Sequence, residues 1–207
     1  MRLLCISILF AVSIGHLSAQ TVPQLPYNAT TESVEYGEVV QVDGTSQAVL
    51  FDAAQAWAIK TYKNYKAVLQ SEDKESGKII IKPTSAIYDS PTTNLYQYIL
   101  TIECKPNRVR YRATDINAGY SRYGAAEALL PVNFLYKMCL DHQKKIAELP
   151  KQIESSDNRK EKKQLSEDLK KAQTSLGYEV PVLSQIDRFI TDNLSSLKKA
   201  LLNAKDF

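Results

Sequence analysis

Residues 95–116, LYQYILTIECKPNRVRYRATDI, decide the fold. Tyr96, Tyr98, Leu100, Ile102 and Cys104 fall on one side of an extended chain, and Gln97, Ile99, Thr101 and Glu103 on the other. After Pro106-Asn107, Val109, Tyr111 and Ala113 alternate with Arg108, Arg110, Arg112 and Thr114. Side chains two apart share a face of a strand. The stretch therefore predicts an antiparallel hairpin with one apolar face, one polar face and a tight Pro-Asn turn. The apolar face needs a cover, and the flanking sequence offers helices.

Upstream, KAVLQSE (66–72) and KIIIK (78–82) flank DKESG (73–77) and predict a second hairpin, with Gly77 at the left-handed position. Pro83 ends that ladder or marks an edge, and the run to Asn94 reads as a flexible connection. VEYGEVVQV (34–42) is rich in β-branched residues and predicts a strand. Asp43-Gly44 turns the chain, and Thr45 or Ser46 caps a helix. In that helix Leu50, Phe51, Ala54, Trp57, Ala58, Thr61, Tyr62 and Tyr65 recur at helical spacing. Trp57, the one tryptophan, reads as a core anchor.

Downstream the pattern is helical. Leu129, Val132, Leu135, Cys139, Ile146 and Leu149 lie at mostly helical intervals in 124–149, with a break or restart at Pro131. Ser155-Ser156-Asp157-Asn158 reads as a turn, and Leu165, Leu169, Ala172 and Leu176 form a second, narrow stripe. These two stretches predict a helical hairpin. Gly177 stops it, Pro181 opens a new segment, and Ser184-Gln185-Ile186-Asp187 resembles a capping box. Ile186, Phe189, Ile190, Leu194, Leu197 and Leu201 then form a terminal amphipathic helix.

The N-terminus carries Arg2, the apolar run LLCISILFAVSI (3–14) and small or polar residues to Gln20. That is the layout of a secretory signal peptide, and the run is too short to span a bilayer. It predicts cleavage near Ala19 or Gln20 and a periplasmic or secreted protein with no transmembrane anchor. Residues 21–33, TVPQLPYNATTES, then read as a flexible tether.

A net charge of +3 is too small to argue for nucleic acid, and none is expected as a partner. Cys5 and His16 leave with the signal, so Cys104, Cys139 and His142 remain. That excludes a histidine-rich zinc site and makes any Ser-His or Cys-His triad depend on His142. His142, in DHQKK, reads as a surface residue. Cys104 and Cys139 read either as a disulfide or as two small buried hydrophobes. The chain has no glycine-rich phosphate loop, no Gly-x-Ser-x-Gly elbow and no zinc-protease helix. No catalytic residue, metal or cofactor is indicated.

Arg108, Arg110 and Arg112 line one strand face, and Lys78 and Lys82 join it if the register allows. Such a row suits a carboxylate, a phosphate or an acidic polysaccharide. It also suits a solvated face with cross-strand partners such as Glu103. Tyr120, Arg122 and Tyr123, in AGYSRYG, read as a loop that is either a binding rim or pinned to the domain. The lysines of 144–171 alternate with glutamates and read as solvated helix faces.

EYGEVVQVDG, AQAWAIKTY, VLQSEDKESGKIIIK and YQYILTIECKPNRVRYRATDI, in this order, resemble a domain-of-unknown-function family with a TATA-binding-protein-like (TBP-like) fold. That family occurs mainly in exported proteins of Bacteroidetes-type bacteria. The resemblance covers about residues 32–116 and brings no assigned activity. It implies an α+β fold: a TBP-like β-α-β-β-β-β core with a curved antiparallel sheet, plus C-terminal helices including a helical hairpin. The organisation expected is a signal peptide (1–20), a tether (21–33), a TBP-like domain (34–116), a helical extension (124–180) and a terminal helix (184–204) packed on the sheet. The leading functional expectation is an exported, non-enzymatic binding or scaffolding module that meets an envelope protein. The alternatives are an anion-binding module using the arginine face and an enzyme of unrecognised type.

Overall fold

The structure, a computed structural model, describes residues 21–89, 92–122, 125–126 and 129–206. The signal-like stretch and Tyr123 lie outside the described residues. The strands in chain order are β1 (Tyr27–Asn28), β2 (Ser33–Val34), β3 (Tyr36–Gln41), β4 (Leu69–Asp73), β5 (Lys78–Ile81), β6 (Thr84–Asp89), β7 (Thr92–Lys105), β8 (Arg108–Arg122), β9 (Ala125–Ala126) and β10 (Leu130–Pro131). The helices are α1 (Gln47–Thr61), α2 (Tyr65–Val68), α3 (Val132–Ser155) and α4 (Arg159–Leu202), followed by a 3-10 turn at Asn203–Asp206.

The β7–β8 hairpin is the spine of an antiparallel sheet. On one side of β7 lie β5 and then β6, with β4 beyond β5. On the far side of β8 lie β3, then β10 and β9. Asn107 closes the hairpin with φ +67°, a conformation asparagine tolerates. Its tip is held from outside. Val42 N–H donates to the Asn107 carbonyl at 2.7 Å, Asn107 N–H to the Thr45 carbonyl at 3.0 Å, and Gly44 N–H to Asn107 Oδ1 at 2.8 Å. Gly77 is equally constrained: a Cβ there would sit 2.3 Å from the Cys104 carbonyl oxygen.

β8 contains a bulge. Gln97 pairs with Asn117 and Ile99 with Thr114, so Asp115 and Ile116 together oppose Tyr98. Asp115 has φ +49°. One extra residue shifts the side-chain alternation by one. Val109, Tyr111 and Ala113 are buried before the bulge, and Ile116 and Ala118 after it. β8 thereby keeps its apolar side inward well past the point where simple alternation ends.

That inward side is covered by α1 and α4. Ser46 caps α1, its side chain accepting from Val49 N–H. Leu50, Phe51, Ala54, Trp57 and Ala58 face the sheet. α4 contributes Leu183, Ile186, Ile190, Leu194, Leu197 and Leu201. Fully burying each such aliphatic stabilises the fold by about 1.5–3 kcal/mol. Phe189 packs on Tyr96 and Tyr98, with ring centroids 6.1 and 6.3 Å away. The polar ends inside this layer are paired. Trp57 Nε1 donates to Ser196 Oγ at 3.0 Å, Tyr96 OH and Asn94 Nδ2 donate to Gln185 Oε1 at 2.8 Å, and the hydroxyls of Tyr62 and Tyr98 are 3.0 Å apart.

Several expectations need correction. The tether packs: Val22 and Leu25 are buried, β1 pairs with β2, and Val34 N–H donates to Asn133 Oδ1 at 2.8 Å. Residues 65–68 form the short helix α2, capped by Asn64, and the strand begins only at Leu69. Most of the connection after Pro83 is β6, paired to β7 from Thr84 to Asp89. His142 is half-buried rather than on the surface. The extension read as helical from residue 124 opens with the strands β9 and β10, which pair with β8, and its helix α3 begins only at Val132. Finally, Gly177 and Pro181 do not divide the second helix: α4 runs unbroken for 44 residues. Pro181 lacks the N–H that the Gly177 carbonyl would accept, and its ring crowds the backbone four residues earlier. Here that neighbour is a glycine, and Pro181 itself faces solvent.

α3 and the first half of α4 form the antiparallel helical hairpin. Asn158 caps α4 by accepting from Lys160 N–H and Glu161 N–H at 2.9 and 3.3 Å. Cys139 lies buried near the base of this hairpin, whereas Cys104 lies buried at the end of β7. Both are free thiols, so the disulfide reading gives way to two small buried hydrophobes. Burial pushes each thiol up to about 12, and Glu179 adds to the effect at Cys139.

Two outcomes follow from this packing. Pro181→Ala restores a helical N–H at an exposed position and raises stability in urea unfolding by about 1–3 kcal/mol; a lowered midpoint would contradict an unbroken α4. At about pH 8 a thiolate-specific reagent labels Cys104 and Cys139 slowly in the folded protein and promptly in denaturant. Recovery of the two in one disulfide-linked peptide pair would contradict the free-thiol assignment.

Candidate functional site

The face of the sheet opposite α1 and α4 carries the arginine row. Arg108, Arg110 and Arg112 are exposed while Val109, Tyr111 and Ala113 are buried, as the strand period requires. Register sets their neighbours. Arg108 stands between Gln41 and Lys105, Arg110 between Val39 and Glu103, and Arg112 between Gly37 and Thr101. Lys78 lies beside Glu103 and so joins the row, whereas Lys82 follows the last residue of β5.

Glu103 takes Arg110: Nε donates to Oε2 at 2.7 Å, and the Nη2–Oε2 distance is 2.6 Å. No ion pair among the described residues involves Arg108 or Arg112. Gly37 lets the Arg112 stem cross β3 closely, since a Cβ there would sit 3.0 Å from Arg112 Cγ. Glu35 is held below the usual carboxylate range by the Ser33 and Thr31 hydroxyls, with a smaller contribution from Arg112.

Two hollows open on this face. One, about 570 Å³, is lined by Asn28, Gly37, Arg110 and Arg112 and also by the acidic residues Glu35 and Glu38. The other, about 270 Å³, is lined by Val39, Glu103, Lys105, Arg108 and Arg110. The backbones of Tyr120 and Arg122 belong to β8 rather than to a loop after it. The arginine row is thus brought together, and the Tyr120–Tyr123 segment is placed with β8 only as far as Arg122.

Two features were not read from the sequence. An apolar groove of about 850 Å³ runs between α1 and the end of α4, lined by Val49, Ala53, Ala56, Trp57, Ala200 and Ala204. It lies on the helical layer, away from the arginines. At the base of the helical hairpin, Glu179 Oε2 receives two neighbours. His142 Nδ1 lies 2.9 Å away, and the Cys139 thiol donates at 3.4 Å. The spacing of Cys139 and His142, three apart on one helix, was the available signal; their partner, 37 residues beyond His142, carries no local signature. No set of three histidine, cysteine or acidic side chains among the described residues has metal-holding geometry, and no helix among them is long and apolar enough to cross a membrane.

Residues 36–118 match the family model described as a domain of unknown function, DUF4468, with TBP-like fold. No curated protein matches the chain. Among solved structures, a TBP-like protein from Parabacteroides distasonis aligns at 16% identity and a TM-score of 0.48, covering 81% of this chain and 94% of that one. A DUF4468 family protein from Bacteroides ovatus aligns at 19% identity and a TM-score of 0.41, covering 58% and 68%. The segment from Tyr36 to Ala118, which holds the strand β3, the helix α1 and both hairpins, is thus the part of the chain that matches the DUF4468 family model and its TBP-like fold.

Proposed function

We propose that this chain is an exported, non-enzymatic binding module of the bacterial envelope, and that it takes an anionic partner on the open sheet face. The observation that carries the reading is the state of Arg108 and Arg112. Both are exposed on one face, both flank the paired Arg110, and among the described residues neither forms an ion pair, Arg112 acting on Glu35 only through a smaller electrostatic contribution. A guanidinium presents a planar fork of donors that matches a carboxylate or a phosphate. Lys78 and Lys105 add charge to the same rows, against Glu103 and Asp73. Export rests on the apolar run of residues 3–14 and its small, polar close.

The binding reading is tested by titrating the protein with poly-L-glutamate and with polygalacturonate. A lost charge-assisted hydrogen bond removes about 1.5–3 kcal/mol. The double variant Arg108→Gln/Arg112→Gln therefore binds at least about tenfold more weakly, and wild-type affinity falls as salt rises. Equal binding by both proteins would overturn it. For export, the protein recovered from a periplasmic extract begins near Gln20 or Thr21; recovery only from cytoplasm, with Met1 retained, would overturn that half.

A further inference from the structure

The edge of the sheet beside the arginine row has its own chemistry. β3 pairs with β8 on one side, and no strand lies on its other side among the described residues. Two hydrogen bonds fix which backbone groups look outward. Val42 N–H points to the Asn107 carbonyl, on the β8 side, at 2.7 Å. Glu35 N–H points the other way, to the Pro26 carbonyl, at 3.0 Å. Backbone groups of a strand alternate in direction residue by residue. Val40, Glu38 and Tyr36 therefore serve β8, and Gly37, Val39 and Gln41 present their N–H and C=O groups outward. All three are exposed, Val39 at 51%. The chain's own Pro26 occupies the position at Glu35, and the ladder stops there.

This edge is not blunted in the way natural edges are. β4, which borders β5, carries a register shift between Leu69 and Ser71 and ends in Glu72-Asp73. The outward residues of β3 are a glycine, a valine and a glutamine, in a strand without bulge or proline. Hollows flank the edge on both faces of the sheet. The one that holds Arg110 and Arg112 lies on the open face, with Glu35 and Glu38 also on its lining. Another, about 330 Å³, lies on the helical side between Tyr111 and Thr191, Leu194, Ser195 and Lys198. On that side Glu38 is already taken, since Lys198 Nζ and the Tyr111 hydroxyl both donate to it. An added strand places alternate side chains on opposite faces.

We infer that the free edge of β3 accepts an extended segment of a partner protein by strand addition. Acidic side chains of that segment lie toward Arg110 and Arg112, and small apolar ones lie toward Leu194. The acidic preference rests on the anion-binding reading above; the backbone pairing does not.

The test uses the peptide acetyl-Val-Glu-Val-Glu-Val-Glu-Val-amide as probe, with amide exchange and affinity as readouts. On binding, exchange at Gly37, Val39 and Gln41 slows at least about tenfold, as forming backbone hydrogen bonds requires. Val39→Pro removes an outward N–H that β8 does not use and places its ring on the edge, so it abolishes binding while the circular dichroism spectrum stays native. Arg108→Gln/Arg112→Gln weakens binding but retains the protection pattern at saturation. Unchanged binding by natively folded Val39→Pro, or wild-type binding without protection of the three amides, would overturn strand addition and leave the anion reading intact. So would an absence of peptide binding by a protein that still binds poly-L-glutamate. Protection that grows with protein concentration and needs no peptide would seat a second copy there, and would equally overturn the inference.

Discussion

The structure depends on burying one face of the β7–β8 hairpin. Tyr96, Tyr98, Leu100, Ile102, Cys104, Val109, Tyr111 and Ala113 are all buried, and no other pair of strands among the described residues offers so long an apolar surface. α1 and α4 lie on it because they carry the apolar stripes able to match it. The tyrosine hydroxyls brought inside would each cost free energy if left unpaired. Gln185, Asp187 and the Tyr62–Tyr98 contact satisfy those of Tyr96, Tyr36, Tyr62 and Tyr98. Burial raises the Tyr36 and Tyr62 hydroxyls well above the usual phenol value, so both remain neutral across the physiological range. The helical layer is thus specified in both its apolar and its polar contacts.

Much of this was legible because period two and period 3.6 are written locally. The alternation in 95–114 named the inward residues of β7 and the first half of β8, and the helical spacing from Leu50 to Ala58 named the buried face of α1. The misreadings share a physical cause. Each was decided by tertiary context rather than by local pattern. β6 has little apolar alternation of its own and is a strand because β7 lies beside it. Pro181 ends a helix in isolation, yet α4 continues through it because Leu176, Val180, Leu183 and Ile186 keep one stripe buried on both sides. The bulge at Asp115 is invisible to a strict alternation rule, which ends where the bulge restores the phase.

For the candidate site, the arginine face followed from the same alternation, since residues between buried ones must point away. Its partners did not. That Glu103 engages Arg110, and that Gly37 lies beneath Arg112, depends on the registers of β7 and β3, which are fixed by the two turns and the bulge. The link between Glu179 and His142 likewise depends on how α3 lies along α4.

Stability and recognition are therefore separated by the plane of the sheet. The arginine row adds little to folding: the one pair it contains, Arg110–Glu103, joins side chains 53% and 26% exposed, and such pairs contribute about 0–1 kcal/mol. Nor does the outward side of β3 hold the sheet together, because its register with β8 is set by Tyr36, Glu38 and Val40 and by the bond from Val42 to Asn107. Glu38 shows how the two sides meet. Lys198 from α4, then Tyr111 from β8, hold its carboxylate below the usual range. Its contribution is complete above the usual carboxylate value and is lost as pH falls through the lowered one. The contact between α4 and β3 thus survives mild acidity, while Gly37, Val39 and Gln41 face outward beside it.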